Sequence, residues 1–269
     1  MRVAVTGASG FVGAELSRAL ARQGHEVLHI DARNEMAGRL PGVQAVVHLA
    51  AIAHRRASRK ELQAVNVGLA ERVAREAAAA GARFVFLSSV KVHGEESQAP
   101  FTEHSLIAPQ DAYAESKARA EAALRAIPGL RLAVLRPPLV YGPGVKANFL
   151  ALMAAIARGW PLPLGAIENR RSFIYVGNLV DAIVRCLEAQ GTYLVSDGEP
   201  VSTRDLCRAL GAALGRPARL VRFPPALLPR RLAASLEVDD GAIRERLGWR
   251  PPYTREQGLR ATADWYRAR

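Results

Sequence analysis

What most constrains this chain is the alternation, through its first half, of short β-branched runs with alanine-rich stretches of helical period. Residues 2–5, 26–30, 45–49, 83–88 and 132–135 read as strands. Residues 11–23, 59–80 and 112–127 read as helices, closed by Gly24, Gly81 and the Pro128-Gly129 pair. Strands separated by helix-length crossovers return parallel to one another, so this order predicts an α/β fold built on a doubly wound parallel sheet. The strands are near-continuous apolar runs, as a sheet covered on both faces requires. The segment between Asp31 and Ala45 is too short for the helix and extra strand usually found there, so that edge of the sheet is expected to be trimmed.

From Tyr141 onward the pattern changes. Pro143, Gly144, Gly159, Pro161, Pro163 and Gly165 crowd a short stretch. Beyond them, 173–176 and 192–196 read as strands around a helix at 178–188. A helix at 203–214, a proline-rich connector at 223–229 and a last helix from about Arg255 follow. The expected division is a domain of residues 1–145 to which 171–196 returns, and a small mixed lobe of 146–170 and 197–269.

Composition removes several function classes. Cys186 and Cys207 are the only two cysteines, too few for a disulfide framework or a four-cysteine zinc site, and no metal is expected. No apolar run approaches the ~20 residues of a membrane span, and the N-terminus reads as a strand rather than a signal peptide, so a cytoplasmic protein without a membrane partner is expected. The net charge of +12 would suit a nucleic-acid partner, but of 37 basic residues only Lys60, Lys91, Lys117 and Lys146 are lysine. Arginine over lysine in an alanine-rich chain reflects a GC-rich genome. The arginines are scattered, with pairs at 55–56, 170–171 and 230–231 and no long tract. A solvated surface, or an anionic small molecule, fits better than nucleic acid.

The first strand runs into Thr6-Gly7-Ala8-Ser9-Gly10-Phe11-Val12-Gly13 at the start of a helix. Glycines at this spacing let the backbone turn tightly, approach a pyrophosphate and pack the helix against the strand. The helix N-terminus then offers free N–H groups to the phosphates. The second strand ends at Asp31, where a carboxylate would take an adenosine ribose hydroxyl. That carboxylate favours NAD, whereas the nearby Arg33 would tolerate the 2′-phosphate of NADP.

Ser88-Ser89 ends a strand, and Tyr113-Ala114-Glu115-Ser116-Lys117 opens a helix. Tyr and Lys at i and i+4 share a helical face, so the ammonium is expected beside the phenol. A phenol near pKa ~10 needs that charge, and a nicotinamide's, to serve as an acid–base group at neutral pH. Ser89 would hold the same substrate oxygen.

With these motifs the chain resembles the extended short-chain dehydrogenase/reductases, in their nucleotide-sugar epimerase/dehydratase branch. The resemblance spans nearly the whole length: TGASGFVG at 6–13, HLAA at 48–51, Asn66, SSVKVHGE at 88–95, YAESK at 113–117, LRPPLVYGPG at 135–144, RRSFIYVGNLVDAI at 170–183 and LGWRPP at 247–252. It implies a Rossmann-type sheet and a catalytic Ser89, Tyr113 and Lys117. It implies a dinucleotide held by Gly7, Ser9, Gly10, Phe11, Val12, Gly13, Asp31, Leu49, Ala50, Ala51, Asn66 and Ser88, with Tyr113 and Lys117 at the nicotinamide end. For a UDP-sugar it implies Ser89, Lys91, Asn148, Leu162, Leu164 and Arg171, and it implies a homodimer through helices 59–80 and 112–127.

Relatives that remove water from C5–C6 carry an Asp-Glu pair after the strand-end Ser or Thr, to supply an acid and a base. Here those positions are Val90 and Lys91, so dehydration is not expected. What remains is hydride chemistry at C4. The stretches at 88–95, 135–149, 195–206 and 235–239 are most similar to a bacterial surface-polysaccharide subgroup that includes 4-epimerase-like proteins and reductases of UDP-4-keto-6-deoxy-N-acetylglucosamine. The resemblance favours the reductase and leaves the 4-epimerase open; a non-catalytic dinucleotide sensor would have no need of the Tyr/Lys pair. Leu139 departs from the family, standing where many relatives have a sugar-phosphate Asn. His93, before Gly94, is expected to be a packed loop residue.

Overall fold

The computed structural model describes residues 1–31, 40–53 and 57–269. Strands β1 (Arg2–Thr6), β2 (Glu26–Ile30), β3 (Ala45–His48), β4 (Arg83–Leu87), β5 (Arg131–Arg136) and β8 (Gly191–Leu194) form one sheet in the order β2-β1-β3-β4-β5-β8. Every neighbouring pair is parallel. Because the chain moves from β1 to β2 on one side and returns to β3 on the other, the sheet has a switch point between β1 and β3. Ligands of such sheets bind in the crevice outside the carboxyl ends there. Among the described residues β2 is the outer strand, in keeping with the trimmed edge; residues 32–39, the core of that short segment, lie outside the described residues.

The two faces follow the period of two along each strand. Val3, Val5, Val47, Val85 and Leu135 enter one core with Leu16 and Leu20 of α1 (Phe11–Arg22) and Leu179 and Ile183 of α6 (Val176–Arg185). Ala4, Val46, Phe84, Phe86 and Val134 enter the other. Their partners there are Val73 and Ala77 of α3 (Ala70–Ala79) and Ala120 and Leu124 of α4 (Ala112–Arg125).

The expected helix over 59–80 is present but not uniform. A capping box between Ser58 and Glu61 starts α2 (Arg59–Leu62), a π-helical stretch follows at Gln63–Leu69, and α3 completes it. Asn66, 1% exposed among Val65, Val67 and Leu69, lies inside the π stretch. A wide turn of this kind commonly marks a functional site.

Besides the short helices of the tail, a strand and a longer helix went unread in the sequence. β6 (Leu139–Tyr141) pairs in parallel with β7 (Phe173–Tyr175) as a separate two-stranded sheet. α5 (Ala147–Arg158) buries Phe149, Met153 and Ile156, a four-then-three spacing of helical period. The glycines and prolines on either side of it obscured that period. α5 packs with α7 (Thr203–Leu214) and α10 (Arg255–Arg267) around a third core that includes Leu206, Leu210 and Leu259. α8 (Arg230–Ala233) and α9 (Gly241–Leu247) are short connecting helices. Asp197 fastens β7 in place, accepting from Tyr175 N (2.8 Å), Asn178 Nδ2 (2.7 Å) and Tyr141 Oη (2.7 Å).

Behind the carboxyl edge lies a buried ion pair. Arg136, at the end of β5, donates through Nε and Nη2 to both oxygens of Glu121 on α4 at 3.0 and 2.5 Å, each side chain 5% exposed. Ser88 Oγ donates to the same carboxylate at 2.5 Å, and Arg136 Nη1 bonds His93 Nε2 at 3.0 Å. His93 stacks on Phe101 and bonds the Leu106 carbonyl, so it is the packed loop residue expected. Burial pushes the Glu121 carboxyl up, but Arg136 and Ser88 outweigh it and hold it below the ordinary glutamate value. A depressed folded value means stability that is complete above the unfolded glutamate value of ~4.3 and is lost as pH falls through the folded one. Glu121→Gln is therefore expected to destabilise the protein at neutral pH by about 3–5 kcal/mol. In urea unfolding repeated at successively lower pH, the gap between variant and parent should begin to narrow below about pH 4 and go on narrowing as the pH falls further.

Candidate active site

At the end of β1 the backbone doubles back before α1 begins. Gly7 has φ +71°, and a Cβ there would stand 2.8 Å from the Ala50 nitrogen. A Cβ on Gly13 would stand 2.2 Å from the Gly7 oxygen, so only glycine lets the first turn of α1 lie against this loop. Gly10 N donates to Gly7 O at 3.0 Å and closes the turn. Gly10 is also the N-cap, without a side chain to cap the helix, and the first turn carries no acidic residue. The N–H groups and positive end of α1 are thus left for an anion. Ser9 is exposed on the turn, Phe11 and Val12 are partly buried, and a Cβ on Gly144 would meet the Phe11 ring at 3.3 Å.

The rest of the expected dinucleotide path follows the switch point. Asp31 is exposed directly after β2; Arg33, and the pair at 55–56, lie outside the described residues. Leu49, Ala50 and Ala51 follow β3 beside the glycine turn. Thr6 fixes this strand end: Oγ1 accepts from Ala50 N at 3.3 Å and shares a 3.0 Å hydrogen bond with His48 Nδ1. His48 is fully buried against Phe84 and Phe86. Burial, with the Lys117 charge, pushes it down to about 3, so it is a neutral strut. A cradle that a Cβ would fill, an uncapped helix start and a carboxylate after β2 fit the two phosphates and ribose of a dinucleotide.

Ser89 precedes the 3₁₀ turn Val90–Val92, and its Oγ accepts from Lys91 N at 3.3 Å. Tyr113 and Lys117 lie on the first turns of α4, which crosses the end of β4. Lys117 shares the helical face of Tyr113 and makes contacts that spacing did not indicate. Its ammonium is buried, donates to the Leu87 carbonyl at 2.8 Å and sits 4.6 Å above the Phe86 ring, because a buried cation must take an acceptor from the strand end. Burial, opposed by Glu121, brings it down to about 8. Burial and then the Asp111 carboxylate push the Tyr113 phenol up to about 12, against which any lowering by the ammonium and a nicotinamide would have to act.

Several side chains expected on ligands have partners within the protein. Asn66 accepts from Ile52 N at 2.8 Å and donates to Ile52 O (3.2 Å) and Ser116 Oγ (2.9 Å). Ser116 Oγ in turn donates to Tyr113 O at 2.7 Å, so Asn66 ties the strand end after β3 to the Tyr113 turn. The Ser88 hydroxyl is taken by Glu121. Lys91 is held by Glu95 (2.7 Å) and Asp111 (2.8 Å) instead of extending free toward a phosphate.

In the C-terminal part, Asn148 is exposed on the first turn of α5, next to Ala147, whose φ of +53° is costly for a residue with a Cβ. Leu162 is partly buried and bridges Leu220, whereas Leu164 is in the third core. Arg171 donates to the Ala234 carbonyl at 3.0 Å. Sequence reasoning missed Thr6 with His48, Glu121 with Arg136, and Asp111. The last had a signal, since Asp before a helical run is an N-cap pattern.

Comparison with known proteins agrees with this geometry. The chain is 34% identical to a UDP-glucose 4-epimerase of Vibrio cholerae over 97% of this chain and 94% of that one. It is 29% identical to the GDP-6-deoxy-D-mannose reductase of Pseudomonas aeruginosa, over 98% and 97%. Among solved structures, MoeE5 in complex with UDP-glucose and NAD superposes with a TM-score of 0.83 at 25% identity, covering 100% of this chain and 99% of that one. Residues 3–195 match the NAD dependent epimerase/dehydratase family, and with the glycine turn and parallel sheet in place, this chain belongs to it.

Proposed function

We propose that this protein is a nicotinamide-dependent reductase that converts a UDP-4-keto-6-deoxy-N-acetylhexosamine to its 4-hydroxy form, with NAD as cofactor, in bacterial surface-polysaccharide synthesis. The observation that supports this reading is that Ser89, after β4, and Tyr113, on the first turn of α4, lie on the carboxyl side of the sheet, where the glycine turn also lies, while Lys91 beyond Ser89 is ion-paired. Burial, and then Asp111, push the Tyr113 phenol up to about 12, so it carries the proton that a reduction must deliver. A bound reduced nicotinamide supplies the hydride to C4. Tyr113 protonates the C4 oxygen, and the Ser89 hydroxyl donates to the same oxygen as charge develops. Lys117, brought down to about 8 by burial but still charged at neutral pH, lies one helical turn after Tyr113 and is the cation proposed to favour the tyrosinate left after transfer. Val90 and the ion-paired Lys91 supply neither the acid nor the base that dehydration needs.

The nucleotide sugar is assigned to the lobe of 146–170 and 197–269, with Asn148, Leu162 and Arg171 at its border with the sheet. The chain is taken to pair as a homodimer through 59–80 and 112–127. A second reading, a UDP-hexose 4-epimerase, is supported by the 34% identity to the Vibrio cholerae protein. It needs the cofactor retained through each cycle, whereas a reductase must exchange it.

Denaturing the extensively dialysed protein and chromatographing what is released separates the two. A protein free of nucleotide that oxidises NADH or NADPH with UDP-4-keto-6-deoxy-N-acetylglucosamine supports the reductase. Near-stoichiometric NAD⁺ and interconversion of UDP-glucose with its C4 epimer would replace it with the epimerase. Tyr113→Phe is expected to lower turnover by about 10²–10⁴-fold with an unchanged circular dichroism spectrum. Gly13→Ala should abolish NAD binding by calorimetry, since its methyl would stand 2.2 Å from the Gly7 oxygen.

A further inference from the structure

We propose that Lys91 is a positioning residue for proton transfer at Tyr113: clamped between Glu95 and Asp111, its ammonium fixes the first turn of α4 and screens the phenol from the Asp111 carboxylate. The inference rests on Tyr113 as the proton donor of the proposed reaction.

Lys91 joins the two halves of the site. Its backbone N–H donates to Ser89 Oγ at 3.3 Å. Its Nζ donates to Asp111 Oδ2 at 2.8 Å, and the other oxygen of that carboxylate caps α4 by accepting from Ala114 N at 2.7 Å. Tyr113 is the second residue of that helix. One residue thus relates the serine hydroxyl, through its backbone N–H, to the phenol-bearing turn, through its side chain. The Glu95 bond, 2.7 Å, holds the ammonium from the other side, leaving it little freedom to leave Asp111.

The charges around this cluster make Lys91 the natural screen. On α4, Glu115 is directed away from the site and pairs with Arg59 of α2 and with Arg119. Glu121 is neutralised by Arg136 from β5. Lys117 is turned to the Leu87 carbonyl of β4, with the neutral His48 beyond it. Glu95 also acts on Arg171. Asp111 is the carboxylate that acts on the phenol, and Lys91 is its cationic partner. Burial opposes the charge on Lys91, yet the bonds to Asp111 and Glu95 raise its pKa, so it stays an ammonium wherever the enzyme works.

The test follows Tyr113 directly in protein carrying ¹³Cζ-labelled tyrosine and saturated with NAD⁺. Its resonance is identified by its loss in Tyr113→Phe, and the titration is kept within the alkaline range where circular dichroism shows the fold intact. Lys91→Met should move the onset of phenol ionisation upward by roughly one pH unit. Lys91→Arg should stay near the parent, and Lys91→Met/Asp111→Asn should return to or below it, because Asn still caps a helix but carries no charge. A parental titration in Lys91→Met, or an equal shift in Lys91→Arg, would overturn the proposal while leaving the proton-donor role of Tyr113 standing. Full turnover by Tyr113→Phe would remove that role and the proposal with it.

Discussion

Everything at the carboxyl edge depends on how closely two stretches of backbone approach each other after β1. With no Cβ at Gly13, the first turn of α1 rests against the Gly7 carbonyl, and with none at Gly7 the loop reaches the strand end at Ala50. Those contacts bring α1 in close enough for its open N-terminus to face the crevice between β1 and β3. The parallel sheet then does the rest, since it delivers Thr6, Ile30, His48, Leu87 and Arg136 to one rim. A methyl group at either glycine would displace the helix, and the dipole aimed at the crevice would move with it.

Around that rim the charged groups are arranged in compensated sets. Arg136 and Glu121 are buried together and reach Ser88 and His93. Lys117 finds a carbonyl, and Lys91 finds two carboxylates. Arg136, Glu121 and Lys117 could not be buried singly, because the loss of hydration would exceed any gain in packing. The effect of these sets is to make the ends of β4, β5 and α4 one connected unit, so that Ser89 and the turn bearing Tyr113 are fixed by the same bonds that neutralise the charges.

How much of this was legible in the sequence depended on the range of the interaction involved. The sheet was readable because most of its strands are local apolar runs and the helices between them are closed by Gly24, Gly81 and Gly129. Gly7, Gly10 and Gly13 were readable for the same reason: their spacing alone implies the turn. Lys117 was placed beside Tyr113 by helical spacing, but its partner is a carbonyl 30 residues earlier in the chain, which no spacing reveals. Asn66 was expected on the cofactor; its bonds to Ile52 and Ser116, 14 and 50 residues away, were not indicated by any spacing. The π-helical stretch was hidden for a related reason, as the wide turn coincides with a buried amide whose partners are remote. α5 was obscured by flanking prolines and glycines, although Phe149, Met153 and Ile156 had a helical period.

The strand order separates tasks in space. Asp31 follows β2 at the rim's outer end among the described residues, whereas Ser89 follows β4 and is two strands past the switch point. A family built on this sheet can shorten, lengthen or rewrite the chain beside β2 without disturbing the backbone that carries Ser89 and Tyr113, the groups proposed for proton transfer. Cofactor preference and reaction type are therefore free to diverge independently, and the brevity of this protein's chain after Asp31 is an instance of that modularity: a revision at the margin of a sheet whose chemical centre is left in register.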